Sequence, residues 1–498
     1  MENGRRRKSN VGAAISRPPA GDFHTHAGNA PGRKGRVNRE EGIVAPCGRG
    51  KERVMREKIG MVSLGCAKNQ VNAEQMLYLL QEAGFEISGD PAGCDLAIVN
   101  TCGFIESAKA EAIDHILALG QLKAEGRLGK ILVTGCLSQR YPEEILQELP
   151  EVDGVMGTGS YSDIVSAVEQ TLAGTTVQAF GDIDAPLDET PRVLTSPDYY
   201  AYLKIAEGCD NHCAYCVIPS LRGRYRSREL DDVLYEARQL AADGVKELIV
   251  VAQDISRYGL DLEGHDHLLP QLLRGLCAIE GIHWVRLHYL YPDQITEEMI
   301  DVIASEPKIV KYLDIPIQHV NDTILKKMNR RGDKAFLTEM FRKLRARIPG
   351  LVIRTSLIAG LPGEDEAAFE ELCAWLREMK LERVGAFAFS PEEGTPAAMM
   401  EYPPSEVAQE RAAYIAELQS RIMDQWNETM MGKTLEVLCE GYDDEEEAYY
   451  GRTYADSPDI DGKIWFPSET AVRPGEFVMV TVTDVYDGEL IGEREEEA

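Results

Sequence analysis

Cys209-Asp210-Asn211-His212-Cys213-Ala214-Tyr215-Cys216 places three cysteines within eight residues, spaced C-x3-C-x2-C. They stand too close together for structural disulfides, but as thiolates they can curl around one metal centre. A cubane of iron and sulfide takes one thiolate per iron, so four cysteines normally close it. The local run supplies three, which leaves one iron open to an outside ligand. The competing reading is a zinc knuckle, which wants four Cys or His ligands in separated pairs. His212 is the only local fourth candidate, and its place inside the loop beside Cys213 suits a tetrahedron poorly.

The spacing, with Tyr215 before the last cysteine, resembles the signature of the radical S-adenosylmethionine (SAM) enzymes. In that family the amino and carboxylate groups of SAM chelate the open iron. An electron from the reduced cluster then breaks a sulfur–carbon bond of SAM and yields a 5′-deoxyadenosyl radical. The resemblance therefore implies a 4Fe–4S cluster on Cys209, Cys213 and Cys216, which would carry the catalysis.

A chain of 498 residues predicts two to four domains. Its 44% hydrophobic content is that of a folded protein, and no apolar run approaches a membrane span. The basic start Arg5-Arg6-Arg7-Lys8 has no apolar stretch behind it, so no secretory signal is expected. Eleven cysteines in such a chain predict a reducing cytoplasm, where cysteines serve metals or chemistry more often than disulfides. The net charge of −30 is uneven: residues 1–57 carry 13 basic against 6 acidic residues, and residues 434–498 carry 4 against 19. Sequence-independent nucleic-acid binding runs on positive charge, so this acidity argues against it.

Residues 1–56 are rich in Gly, Arg, Pro and Asn without periodicity, and read as a disordered basic extension. Met55 would make a sensible start to the first strand, and Cys47 reads as idle. From Lys58 short apolar runs alternate with amphipathic stretches, the βα pattern of an open parallel sheet. The runs Ile59–Gly65, Asp95–Thr101 and Lys130–Gly135 end at Cys66, Cys102 and Cys136, which are 36 and 34 residues apart. Strand ends of a parallel sheet share one edge, where such sheets place ligands. Three thiols in register there read as a second three-cysteine cluster site, against the alternative that cysteine is a common buried residue. Cys94 precedes its strand and reads as structural, and Gly154–Gly159 reads as a turn.

After a linker at 173–194, a second domain at 195–429 opens with a strand at Tyr202–Ala206 that delivers the cysteine loop. Strands at Glu247–Ala252, Trp284–Tyr289, Tyr312–Ile317, Leu351–Ile358 and Arg383–Phe389, with intervening helices, predict a partial TIM-like barrel with its chemistry at the carboxyl ends of the strands. Gln253 and Asp254, His288, Gln318 and His319, Arg354 and Thr355 are the polar residues of those strands and their ends; Tyr215, Gln253, Gln318 and Arg354 are the expected SAM contacts. Arg222, Arg224, Arg226 and Arg228 alternate and, if extended, would share one side, either as a solvated face or for an anion such as a SAM or substrate carboxylate. A long helix at Ser405–Thr429 precedes short β-like runs over 430–496, the size of a five-stranded OB-like barrel. The fold class is α/β in three parts: an open parallel sheet at 57–172, a partial barrel and a small β-barrel.

This order of parts, with all six cysteines, resembles the methylthiotransferase family from about residue 57 to 496. The resemblance implies two 4Fe–4S clusters, one on Cys209, Cys213 and Cys216 and one on Cys66, Cys102 and Cys136. The first would remove a hydrogen from an unactivated carbon, the second would carry the inserted sulfur, and another SAM would give the methyl group. The C-terminal part is then a TRAM barrel. Ser63–Gln70, Asn100–Phe104 and Val217–Arg224 look like the RimO branch, which methylthiolates the β-carbon of an aspartate in protein twelve of the small ribosomal subunit. The alternative is the MiaB branch, which modifies a transfer RNA adenosine. Either needs an electron donor and a sulfur source, which the residues do not name. A plain radical SAM methylase would need only the barrel cysteines, and an electron carrier would close its sites with a fourth ligand.

Overall fold

The computed structural model describes residues 57–264 and 266–495. The basic extension, with Cys47 and Met55, lies outside the described residues. The first sheet is wholly parallel. Its strands are β1 (Lys58–Ser63), β2 (Glu86–Ser88), β3 (Leu96–Thr101), β4 (Lys130–Gly135), β5 (Gly154–Met156) and β6 (Val177–Ala179), in the order β2-β1-β3-β4-β5-β6. The central strands read as unbroken apolar runs because both faces are covered. Ile98 and Leu132 pack with Met76, Leu80 and Ile164 on one face, while Val99 and Val133 pack with Ile113, Ile116 and Ile145 on the other.

Two sequence expectations change here. Gly154–Met156 is strand β5 rather than part of a turn, and the turn begins at Gly157, whose N–H still donates to the Ala179 carbonyl at 2.8 Å. β6 falls inside the expected linker and is the sixth strand of the sheet. A three-residue strand is too short to show periodicity, so neighbouring pairing alone defines it.

The second sheet is also parallel. It comprises β7 (Tyr200–Lys204), β10 (Glu247–Val251), β11 (Trp284–Leu287), β12 (Ile309–Asp314), β13 (Val352–Ala359) and β14 (Arg383–Ala388), in the order β14-β13-β12-β11-β10-β7. The short strands β8 (Ala206–Glu207) and β9 (Arg226–Ser227) pair antiparallel beside it and bracket the cysteine loop. Its helices bury one face of the sheet through Val233, Leu240, Leu272, Leu344, Leu372 and Leu376. The other face carries Tyr200, Tyr202, Trp284 and Tyr312, and it is covered by neighbours on two sides. Val71 comes from the helix Ala67–Glu82 of the first sheet, and Leu438 and Ala455 from the C-terminal barrel.

That barrel closes as β15 (Thr434–Asp443), β16 (Ala448–Arg452), β17 (Ile464–Phe466), β19 (Glu489–Arg494) and β18 (Phe477–Tyr486). Its β16–β17 connection reaches into the larger sheet. Arg286 donates to the Tyr454 carbonyl at 2.8 Å, the Tyr312 hydroxyl to Asp461 at 2.7 Å, and Arg383 to Asp456 at 2.8 Å. Glu247 accepts from both Arg286 and Arg452 at 2.7 Å, all three side chains being buried. Buried charges are tolerated only when paired in this way.

Candidate active site: two cysteine triads at one interface

Because β1, β3 and β4 are adjacent and parallel, the residues following them emerge at one edge. Cys66 caps the helix Ala67–Glu82, Cys102 follows β3, and Cys136 opens the helix Cys136–Arg140. Backbone geometry makes room for them. Gly65 and Gly135 both have positive φ, and a Cβ on Gly65 would lie 2.8 Å from the Cβ of Cys102. The Asn69 amide donates to the carbonyls of Leu64 and Thr101 at 2.7 and 3.2 Å, and the Asn100 amide donates to the Asn69 carbonyl at 2.8 Å. The cysteine-bearing turns are thereby locked together.

The second triad lies on the loop after β8. Gly208, with φ of 82°, passes so close to the backbone that a Cβ would meet the Arg224 carbonyl at 1.9 Å. The loop is braced by Ala214, whose N–H donates to the Met328 carbonyl, by Asn329 donating to the His212 carbonyl at 3.0 Å, and by Asn211 donating to Asp254 at 2.9 Å. His212 is exposed and left-handed (φ 48°), so it turns outward rather than completing a tetrahedron. Among the described residues no group of three His, Cys, Asp or Glu side chains is arranged around a single ion.

Burial, with Cys136 and Cys66 adding to it, pushes the Cys102 thiol up to about 11. Burial, with Cys213 and Asp254, does the same to Cys209, also to about 11. Burial and Cys213 raise Cys216 further still. At Cys102, Cys136, Cys209 and Cys216 a neighbouring thiol adds to burial in opposing ionisation, which a bound metal would overcome by driving the protons off. Cys66 differs: burial opposes ionisation there too, but Lys68, Arg222 and two backbone N–H groups outweigh it and hold the thiol below its ordinary value.

Arg222 joins the two triads. It ends the helix Ile218–Arg222 just after the Cys216 loop and donates through Nε and Nη2 to Cys136 Sγ, both at 3.3 Å. It also donates to Asn72 and Asn69 at 2.8 Å and pairs with Glu207 at 3.3 Å. The even arginine stripe expected from the sequence does not form, because a helical turn and Gly223 interrupt it. Arg224 is exposed, Arg226 binds the carbonyls of Ile183, Ala185 and Arg222, and Arg228 pairs with Glu189 and Glu236. Arg224 too lies 3.7 Å from Asp184, so all four have partners within the fold rather than being free for a SAM or substrate carboxylate.

The expected SAM contacts are placed unequally. Tyr215 is buried with Met328, Leu361 and Phe389. Gln253 donates to Glu207, which Lys204 and Arg222 hold at about 2 although burial opposes this. Gln318 is half-buried with φ of 70°, bridged to β13 through its backbone. Arg354 pairs with Asp314 at 2.9 Å. Sequence reasoning missed Arg330 and Tyr291: the guanidinium lies 4.1 Å over the Tyr291 ring, 3.6 Å from Cys213 Sγ. It also missed Glu392, which draws Lys109 (3.1 Å) and Arg140 (2.7 Å) of the first sheet onto the barrel. These residues come from separate loops, and no spacing in the sequence joins them.

Comparison with known proteins agrees with this architecture. Residues 58–157 match the uncharacterized protein family UPF0004, residues 203–376 the radical SAM superfamily and residues 431–494 the TRAM domain. The chain is 47% identical over 439 residues to a protein of Thermoanaerobacter sp. (strain X514) named ribosomal protein uS12 methylthiotransferase RimO, covering 88% of this chain and 100% of that one. It is 48% identical to the protein of that name from Pelotomaculum thermopropionicum, covering 88% and 99%. Among solved structures, the radical SAM methyltransferase TsrM from Kitasatospora setae superposes with a TM-score of 0.52 at 14% identity, over 69% of this chain and 75% of that one. That likeness is one of fold.

Proposed function

The chain belongs to the ribosomal protein uS12 methylthiotransferase (RimO) family, and from that membership we propose that it exchanges a hydrogen on the β-carbon of a uS12 aspartate for a methylthio group. The observation that carries this reading is the meeting of two three-cysteine sites across one interface, with Arg222 of the barrel loop on Cys136 of the facing triad. A radical methylase would have use for one of them. Cys209, Cys213 and Cys216 would hold one 4Fe–4S cluster, and Cys66, Cys102 and Cys136 a second. When bound, the first supplies hydrogen abstraction together with SAM, the second supplies sulfur, and a further SAM supplies methyl.

The chain's own residues do the positioning. Arg222 fixes the Cys136 edge to the loop bearing Cys216, and Glu392 clamps the same two bodies further out. Tyr215 and Phe389 exclude water beside the barrel triad. Gln253, Gln318 and Arg354, at or near the carboxyl edge of the barrel, are the candidates to hold SAM. The substrate is a basic ribosomal protein, and the reaction takes an electron donor and a sulfur source. It would proceed in the cytoplasm; no described helix is long and apolar enough to cross a membrane.

Anaerobic reconstitution is expected to give about eight irons per chain, four for each cubane. Cys102→Ala should lose about half of them, keep SAM cleavage and abolish sulfur insertion. Mass spectrometry of uS12 and bulk transfer RNA from a deletion strain reads the substrate. Loss of the methylthio group from transfer RNA rather than from uS12 would move the chain to the RNA-modifying branch, and full iron with continued product in Cys102→Ala would remove the second cluster.

A further inference from the structure

Most cations at this interface have a carboxylate partner able to balance their burial. Lys109 and Arg140 have Glu392, Lys204 and Arg222 have Glu207, and Arg354 has Asp314. Two do not: Arg330, which lies over the Tyr291 ring beside Cys213 Sγ, and Lys68. Lys68 is 8% exposed, and its ammonium lies 3.5 Å from the centroid of the Tyr289 ring, with no carboxylate at ion-pair distance among the described residues. Burial opposes the charge, yet Tyr289, Cys66 and Glu207 outweigh it and keep the ammonium charged. No carboxylate touches it, so an arriving anion has no salt bridge to displace.

The setting says where it arrives. Lys68 extends from the first sheet to the carboxyl end of β11, within electrostatic reach of Cys66 on one side and of Glu207, His288 and Asp314 on the other. Both carboxylates there are already matched to Lys204, Arg222 and Arg354. Tyr289 itself has a φ of 66°, a conformation that is strained for a bulky residue and persists where the surroundings enforce it. The ring is thus held under the ammonium at some expense.

We propose that Lys68 binds the side-chain carboxylate of the target aspartate and holds its β-carbon between the two cysteine triads. This rests on the methylthiotransferase reading above. The carboxylate adjoins the reacting carbon, so one ammonium–carboxylate pair both orients that carbon and selects against an amide. The rival role is to neutralise the cluster on Cys66, Cys102 and Cys136.

The test uses the full-length reconstituted protein, with uS12 and a uS12 carrying Asn at the target position. Lys68→Met should keep the iron content and substrate-free SAM cleavage of the parent, raise the KM for uS12 about tenfold or more, as loss of a charge-assisted hydrogen bond does, and discriminate Asp from Asn less. Lys68→Arg should recover part of the loss. An unchanged KM in Lys68→Met, or any loss of iron, overturns the assignment in favour of the rival role. If the unsubstituted protein itself fails to modify uS12, the functional reading falls instead, and the two failures are separable.

Discussion

Arg222 donates to a thiol, two asparagines and a carboxylate while only 3% exposed, so its removal is felt on both sides of the interface. Arg222→Ala should destabilise the apoprotein by about 3–5 kcal/mol, the cost of breaking a buried pair from one side, read as a shift in the denaturation midpoint. Arg222→Lys should recover less than half, because an ammonium restores charge but not the planar fork. A second residue-scale expectation follows from the thiols. Cys66 is held below its ordinary value, whereas Cys102 and Cys209 are pushed up to about 11. At pH 7.5 the apoprotein should therefore alkylate at Cys66 before Cys102 or Cys209, as peptide mapping after brief iodoacetamide treatment would read. The placement of the six cysteines was legible in the sequence, because three follow similar strands and three sit in one loop. The role of Arg222 was not, since an alternating run gives no sign that a helical turn will bury one member against a cysteine 86 residues away.

At the scale of elements, the connection between β16 and β17 supplies a pH-dependent contact. Its Ser457 hydroxyl lies 3.1 Å from His288 Nε2. Burial first, then Arg286 and Arg354, hold the imidazole well below its ordinary 6.5. The unfolded chain takes up a proton near that pH and the folded one does not. Stability is therefore fully present above about pH 6.5 and is lost as the pH falls toward the depressed value, at up to about 1.4 kcal/mol per pH unit. Denaturation midpoints across pH 5–7 should show this slope, and His288→Gln should flatten it. The long apolar strands β3, β4 and β10 could be read from composition because helices and neighbouring chain cover both faces. β2, β5 and β6, of three residues each, could not. Nor could the seating of this connection inside the larger sheet, since it depends on Tyr312, Arg286 and Arg383, three residues on separate strands.

Across the whole molecule, charge separates the two substrate classes. Asp444, Glu445, Glu446 and Glu447 are exposed on the small barrel, along with Asp484, Asp487 and Glu493. Such a surface repels phosphate and draws a basic protein. Binding of uS12 to the full chain should weaken with salt and weaken again when residues 443–447 are made neutral, while transfer RNA binds negligibly in either case. Titrations by fluorescence anisotropy would check both. The small barrel is no freely swinging arm, however, because Tyr454, Asp456 and Asp461 are built into the neighbouring sheet. That has a consequence for how the protein comes into being. Glu247, already paired with Arg286, is translated 205 residues ahead of Arg452, the second cation of their network. While the ribosome is still working through the long helix at Ser405–Glu428, the aromatic lining of the larger sheet lacks the half of its cover that Leu438 and Ala455 supply. The nascent enzyme must therefore wait for its last strands before its oldest strands are finished, and a chain stalled before residue 461 should be digested by protease in its middle rather than at its end.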